Sequence, residues 1–332
     1  MIFYHIISFC AGFFLDFILG DPHFPFHPVC LTGKLISFFD RVFLGNPEEA
    51  AKKGRRQKFF LGLLTVLFVC LISEAILLAI LFAAFYINPW LFCLFESLMV
   101  YFLLAARSLE KESMKVYYAL EENNLSSARS FLSMIVGRDT QNLSQEGICR
   151  AAVETVAENT SDGVIAPMIF LAIGGSPLGL LYKAVNTMDS MIAYKNERYI
   201  DFGCCAARSD DFLNLIPSRI SAVLMIISTG LCRLFYPGKF YFSNSIRIFL
   251  RDRYKHQSPN SAQTESVCAG ALGLKLAGPA SYEGKIEEKP YIGDQLRLPE
   301  ADDIKRADML MYLSAFLCFF ISCGIMILMM VF

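Results

Sequence analysis

Residues 153–167, VETVAENTSDGVIAP, set three acids at steps of four, Glu154, Glu158 and Asp162, and then run straight into apolar sequence. Side chains four apart stack on one helix face. Like charges placed so repel by about 0.2–0.5 kcal/mol per pair. Either water screens them on a solvated face, or a cation belongs among them. The apolar run that begins at Val164 leaves little solvent, which favours the cation. Mg²⁺ suits such a place, because it takes one or two carboxylates and completes its shell with phosphate and water. A helix from about Thr140 to Asn159, stopped by Ser161-Asp162-Gly163, would put Glu154 and Glu158 on one face and Asp162 at its C-terminal end. Helix C-termini carry partial negative charge, so acids there gain from a bound cation.

A second polar stretch repeats the theme. In YKAVNTMDSMIAYKNERY, 182–199, Asn186 and Asp189 are three apart and face one way, flanked by Lys183, Lys195 and Arg198. In AARSDDFLNLIPSR, 206–219, Asp210, Asp211 and Asn214 precede Arg219. Acids can hold a metal while neighbouring Lys and Arg meet the oxygens of its phosphate. The competing reading makes Asp210 and Asp211 first-turn acids of the next helix. His27, in HPV after the GDP turn at 20–22, reads as a local hydrogen-bond partner at a membrane edge. Asp252, His256 and Asn260 would align if helical, but Ser258-Pro259 ends any helix near Gln257. There is no GxxxxGK[ST] loop and no GxGxxG after a strand, so neither a P-loop nor a dinucleotide fold is indicated.

The elements that must position these residues are largely membranous. The chain has 332 residues, 55% hydrophobic and 18% charged, with net charge −1. Such a balance supplies no basic surplus for nucleic acid. A bilayer crossing needs about 20 apolar residues. Blocks 2–19, 59–87, 90–106 and 309–332 qualify, the first as a retained anchor and the second and third joined by a tight turn at Ile87-Asn88-Pro89. Blocks 164–181 and 212–236 are apolar but interrupted, by Pro167, Gly174-Gly175 and Pro177 in one and by Asn214, Pro217 and Arg219 in the other. They read as a second hairpin or as two re-entrant halves. The expected fold is all-α and polytopic, with four clear transmembrane helices, two interrupted membrane segments and cytoplasmic helical inserts. Its regions are 1–106 (with a basic loop 45–58), a polar insert 107–163, 164–236 with a polar loop at 182–211, a polar region 237–308, and 309–332. Lys52, Lys53, Arg55, Arg56 and Lys58 before the second block, and Arg107, Lys111 and Lys115 after the third, place both flanks in the cytoplasm. Asn124 or Ser126 should cap one insert helix and Asp139 or Thr140 the next. Intramembrane Glu74 and Glu96, on adjacent hairpin arms, are expected to pair, and Asp16 is a further suspect. The eleven cysteines form no zinc-type spacing and read as reduced thiols, most of them within apolar blocks.

GDP with HPV, GRDT at 137–140, VETVAENTSDGVIAP, YKAVNTMDSM, YKNERY, AAR-DD-N-IP-R, SPN at 258–260 and GALGLKLAGP at 270–279 resemble, in the same order, the CbiB/CobD family of cobalamin-biosynthesis membrane proteins. That family is described as adenosylcobinamide-phosphate synthase. Departures are small: Ala193 stands where Gly is usual, and SAQTES at 261–266 differs from the usual continuation of SPN. The resemblance implies an ATP- and Mg²⁺-dependent ligase of the cell (inner or plasma) membrane. It would join adenosylcobyric acid, a corrinoid, to (R)-1-aminopropan-2-ol phosphate or ethanolamine phosphate through an amide bond. Other cobalamin-assembly membrane enzymes would be its partners alongside the lipid bilayer. Under that reading Glu158, Asp162, Asp189, Asp210 and Asp211 hold metal. Arg138, Lys183, Lys195 and Arg208 hold phosphates, with Asp139, Asn159, Asn186, Arg219, Asn260 and His27 at the substrates. Glu154, Glu158 or His256 would be the base. Two rivals remain: a Mg²⁺-dependent intramembrane prenyltransferase, suggested by DDFLN, and a transporter, suggested by the interrupted blocks.

Overall fold

The computed structural model describes residues 2–22, 24–282 and 284–331. Fourteen α-helices are described: α1 Ile2–Leu19, α2 Pro28–Phe43, α3 Pro47–Lys52, α4 Arg55–Ile87, α5 Pro89–Leu103, α6 Ala106–Glu121 and α7 Leu125–Ser133. They continue with α8 Gln145–Asn159, α9 Ala166–Ile192, α10 Cys204–Leu213, α11 Leu215–Phe235, α12 Phe242–Asp252, α13 Ser261–Leu272 and α14 Asp302–Val331. The strands are short: β1 Leu276–Ala277 pairs antiparallel with β4 Tyr291–Ile292, and β2 Ala280–Tyr282 with β3 Lys285–Glu287. Six helical stretches are long and apolar enough to cross a bilayer: Ile2–Leu19, Arg55–Ile87, Pro89–Glu121, Gln145–Ile192, Leu215–Phe235 and Asp302–Val331. The protein is an all-α polytopic membrane protein, and each of the six apolar blocks seen in the sequence overlaps one of these spans over most of its length.

By internal contacts the chain forms two compact units, each assembled from separated segments. One comprises Met1–Ala105, Pro167–Asn214 and Ile321–Phe332; the other comprises Ala106–Ala166 and Leu215–Phe320.

In the first unit the expected turn at Asn88 is present. The Asn88 side chain accepts the Trp90 N–H at 2.7 Å, and Pro89 opens α5, where its missing N–H is not needed. Helix α9 is broken at Gly175, whose φ of +67° suits a residue without Cβ. The break frees N–H groups, and the buried Glu96 carboxylate meets them. It accepts the Ser176 N–H at 2.7 Å and the Ser176 hydroxyl, with His5 at 3.6 Å. Glu96 is therefore bonded to a helix N-terminus rather than to Glu74, because a newly opened helix end offers better donors than a second acid.

Close helix approach also depends on Gly62 of α4, where a Cβ would lie 1.9 Å from the Phe202 carbonyl oxygen just before α10. Backbone cannot yield as a side-chain tip can. Gly62→Ala is expected to cost about 1–3 kcal/mol through overpacking, read as a lower thermal midpoint of the detergent-solubilised protein. An unchanged midpoint would refute the close packing.

In the second unit, two expectations change. Ser161-Asp162-Gly163 does not stop α8. A π-helical turn, Thr160–Ile165, carries the helix on to Ala166; π-turns of this kind are frequent at functional sites. Helix α11 also runs unbroken, since Pro217 lies in its first turn, where proline removes no needed bond. Asn124 caps α7 as anticipated, accepting the Ser127 N–H at 3.0 Å. Helix α8 is capped instead by Ser144, which accepts the Gly147 N–H at 3.2 Å. Helix α13 lies in the stretch expected to be a polar region, yet its residues from Ala262 to Leu272 are all buried.

Candidate active site

The acids that opened the sequence reading lie in the second unit. Glu154 is in the middle of α8, and both its oxygens are engaged. Arg138, from the turn after α7, donates to Oε1, and the Ala277 N–H donates to Oε2 at 3.1 Å. Ala277 has φ +55°, uncommon for a residue with a Cβ, and such strain concentrates at functional positions. Glu158, one turn on, is half-buried and carries neither of those ties. Asp162 lies in the π-turn, half-buried, and next to it the buried Ser161 hydroxyl has no hydrogen-bond partner among the described residues. Near Glu154 and Glu158 is a carboxylate the sequence reading overlooked. Glu265, on α13, is 1% exposed, and its Oε2 has no hydrogen-bond partner among the described residues. Burial first, then the negative charges of Glu158 and Glu154, hold its carboxyl well above the usual carboxylate range, against the pull of Arg138 and Lys289.

Two separately noted motifs meet in this unit. Arg219, near the start of α11, donates to Asn260 Oδ1 at 2.7 Å, to Ser218 Oγ at 2.9 Å, to the Leu215 carbonyl at 2.8 Å and to the Pro259 carbonyl at 3.2 Å. All four are neutral acceptors, so its charge is not cancelled by them. His256 accepts the Ser258 N–H through Nδ1 at 3.1 Å. Asp139 ties its own turn to the β2–β3 hairpin, accepting Ser281 Oγ at 2.5 Å and the Gly284 N–H at 2.9 Å. Asn159 donates to the Thr155 carbonyl at 3.0 Å.

The first unit holds the remaining sites. Asp210 is buried on α10 and accepts Asn186 Nδ2 at 3.2 Å and Asn214 Nδ2 at 3.0 Å. Asn214 in turn accepts the Tyr182 hydroxyl at 2.9 Å. Asp189, Asp211 and Lys183 are half-buried, whereas Lys195 and Arg208 are exposed. His27 caps α2 through Nδ1 and pairs with Asp21 through Nε2 at 2.7 Å, which is the local role anticipated. Arg198 is held by Asp40 at 3.0 Å and by the Gly45 carbonyl. Among the described residues no three His, Cys, Asp or Glu side chains are gathered as a metal cage.

Residues 9–311 match the family described as CobD/Cbib protein. The chain belongs to this family. The cobalamin biosynthesis protein CobD of Clostridium perfringens (strain 13 / Type A) is 44% identical over 312 residues, 94% of this chain and 95% of that protein. The cobalamin biosynthesis protein CbiB of Salmonella typhi is 43% identical over 311 residues, 93% of this chain and 94% of that one. No solved structure matches. A multi-pass membrane CobD/Cbib protein with a role in cobalamin biosynthesis is thus in hand, and its polar blocks fall where that family resemblance was read. Glu265 escaped the sequence reading because SAQTES looked like a departure after SPN. The available signal was Gln263-Thr264-Glu265-Ser266 running directly into VCAGAL, four polar residues on a helix with no polar face to spare.

Proposed function

We propose that this CobD/Cbib protein joins a carboxylate of adenosylcobyric acid to the amine of an amino-alcohol phosphate, with ATP as the driving reagent, at the plasma membrane. A carboxylate resists a nucleophile, so one of its oxygens first bonds to the γ-phosphorus of ATP, the bond from that phosphorus to ADP breaks, and an acyl phosphate forms. The amine nitrogen then bonds to the acyl carbon, the C–O bond to phosphate breaks with its electrons leaving on phosphate, and one N–H proton passes to a base. The observation that supports this reading best is the buried acid group of the second unit, in which Glu154 is neutralised by Arg138 while Glu158 and Glu265 are not. Glu158 is the proposed base, Glu154 a positioning residue, and Arg219 with Asn260 the proposed contact for a phosphate.

ATP-borne Mg²⁺ fits as a one- or two-carboxylate ligand set, given that no larger acid cage is gathered among the described residues. Asp210, oriented by Asn186 and Asn214, with Asp211 beside it, would hold the ion. When bound, it supplies positive charge against the phosphate.

The test is an assay of the purified protein with ATP, Mg²⁺, adenosylcobyric acid and (R)-1-aminopropan-2-ol phosphate or ethanolamine phosphate, with corrinoids identified by mass. The expected product carries the mass of the amide, with ATP cleaved in step. Uptake of tracer without any new corrinoid would instead establish a transporter.

A further inference from the structure

We infer that Glu265 and Glu158 form the seat of a primary ammonium group. This rests on the amide-forming reading and specifies which residues receive the amine end of the phosphorylated reactant.

Glu265 has lost contact with water, and one of its oxygens has no donor among the described residues. A buried polar atom in that state is destabilising unless something fills the place. The charged groups around it are Glu154 and Glu158 from α8, Arg138 from the turn before α8, and Lys289 from the segment after β3. Both cations have partners of their own. Arg138 is bound to Glu154. The Lys289 ammonium donates to the Tyr282 hydroxyl at 2.5 Å and lies 4.6 Å from the centre of that ring. The protein therefore gathers more acceptors than it fills, and the missing group is a cationic donor.

The kind of cation follows from the donor set. A metal ion seated by the protein alone wants more ligands than two carboxylates. A primary ammonium has three N–H donors and no acceptor. The carboxylate oxygens of Glu158 and Glu265 are enough to satisfy it. Without the ligand, Glu265 keeps its proton; when the ammonium enters, that proton leaves to solvent. Amine binding should accordingly tighten as pH rises through the Glu265 titration, which lies above the ordinary carboxylate range.

The experiment is calorimetric titration of the full-length protein in nanodiscs with ethanolamine phosphate and with ethyl phosphate, which lacks the amine. Wild type should favour the amine by about ten- to a hundredfold, as hydrogen bonds to charged groups allow. Glu265→Gln and Glu158→Gln should each bring that ratio close to one without weakening ethyl phosphate. Glutamine, like the protonated Glu265 carboxyl, carries no charge, so E265Q should match wild type in thermal midpoint at neutral pH. If E265Q does not fold, E158Q makes the same comparison. A ratio that survives in the folded variants overturns the inference. So does tight, stoichiometric Mn²⁺ binding by the substrate-free wild type that E265Q abolishes, since that gives the seat to a metal. Amide synthesis by wild type together with a surviving ratio sinks only this inference. A collapsing ratio without any amide synthesis sinks only the reading of the reaction.

Discussion

Arg138→Ala is expected to destabilise the protein by about 3–5 kcal/mol, the range for removing one partner of a buried ion pair. The pair is well sequestered, with side-chain exposures of 15% for Arg138 and 12% for Glu154. Truncation would leave Glu154 with the Ala277 N–H as its one remaining donor among those described, near Glu158 and Glu265. Glu154, Glu158 and Glu265 would then lack the Arg138 charge, and Lys289 would still act on Glu265. The loss reflects the charge left behind more than the intrinsic strength of the pair. Removing both partners should therefore be far milder: Arg138→Met with Glu154→Leu is expected to recover most of the stability, while activity stays low because the α8 face is altered. Chemical or thermal unfolding of detergent-solubilised single and double variants decides the matter. A loss in the single variant of less than about 1 kcal/mol, the usual worth of an exposed pair, would mean that the pair is hydrated, and the sequestered Arg138–Glu154 pair would have to be abandoned.

How much of this was readable beforehand varies with the range of the interaction. Four of the six spans were plain because a bilayer imposes a length and an apolar composition on each one separately, whereas the interrupted blocks 164–181 and 212–236 left a hairpin and two re-entrant halves open. The Asn88 turn and the Asn124 cap were visible because their bonds reach only two or three residues. The π-turn at Thr160–Ile165 was not, since Ser-Asp-Gly is locally a helix stop and only packing in the second unit keeps it helical. Partners far apart in sequence were equally hidden. Glu96 finds Ser176, eighty residues on, because a helix breaks there. Arg219 and Asn260 were each singled out, but nothing in either motif says that they touch. Glu265 is the instructive case. A glutamate within apolar sequence is a suspect in a transmembrane block and passes unnoticed in a stretch that reads as polar. The burial of α13 reverses that judgement, and burial belongs to the fold rather than to the residue.

Glu158→Gln is expected to lower kcat for amide formation by about 10²–10⁴-fold, the usual contribution of a positioned general base. Glutamine preserves volume and keeps one acceptor but cannot take a proton from the attacking nitrogen. Its effect should differ from that of Glu154→Gln, which disturbs an ion pair with Arg138 and should show first in stability. It should differ too from Asp211→Asn in the first unit, where the proposed metal-holding role predicts a shift in Mg²⁺ requirement at constant pH profile. Removal of the base leaves a distinct signature. The residual rate should climb with pH, because more of the amine then arrives already deprotonated, whereas wild type, with its base in place, should depend less on pH. ATP-dependent activation of the corrinoid carboxylate needs no proton from the amine, so the acyl phosphate should still form and be trappable with hydroxylamine. If E158Q turned over at the wild-type rate, or if it blocked hydroxylamine trapping as fully as amide formation, Glu158 would not be the group that accepts the proton, and the base would have to be sought at His256.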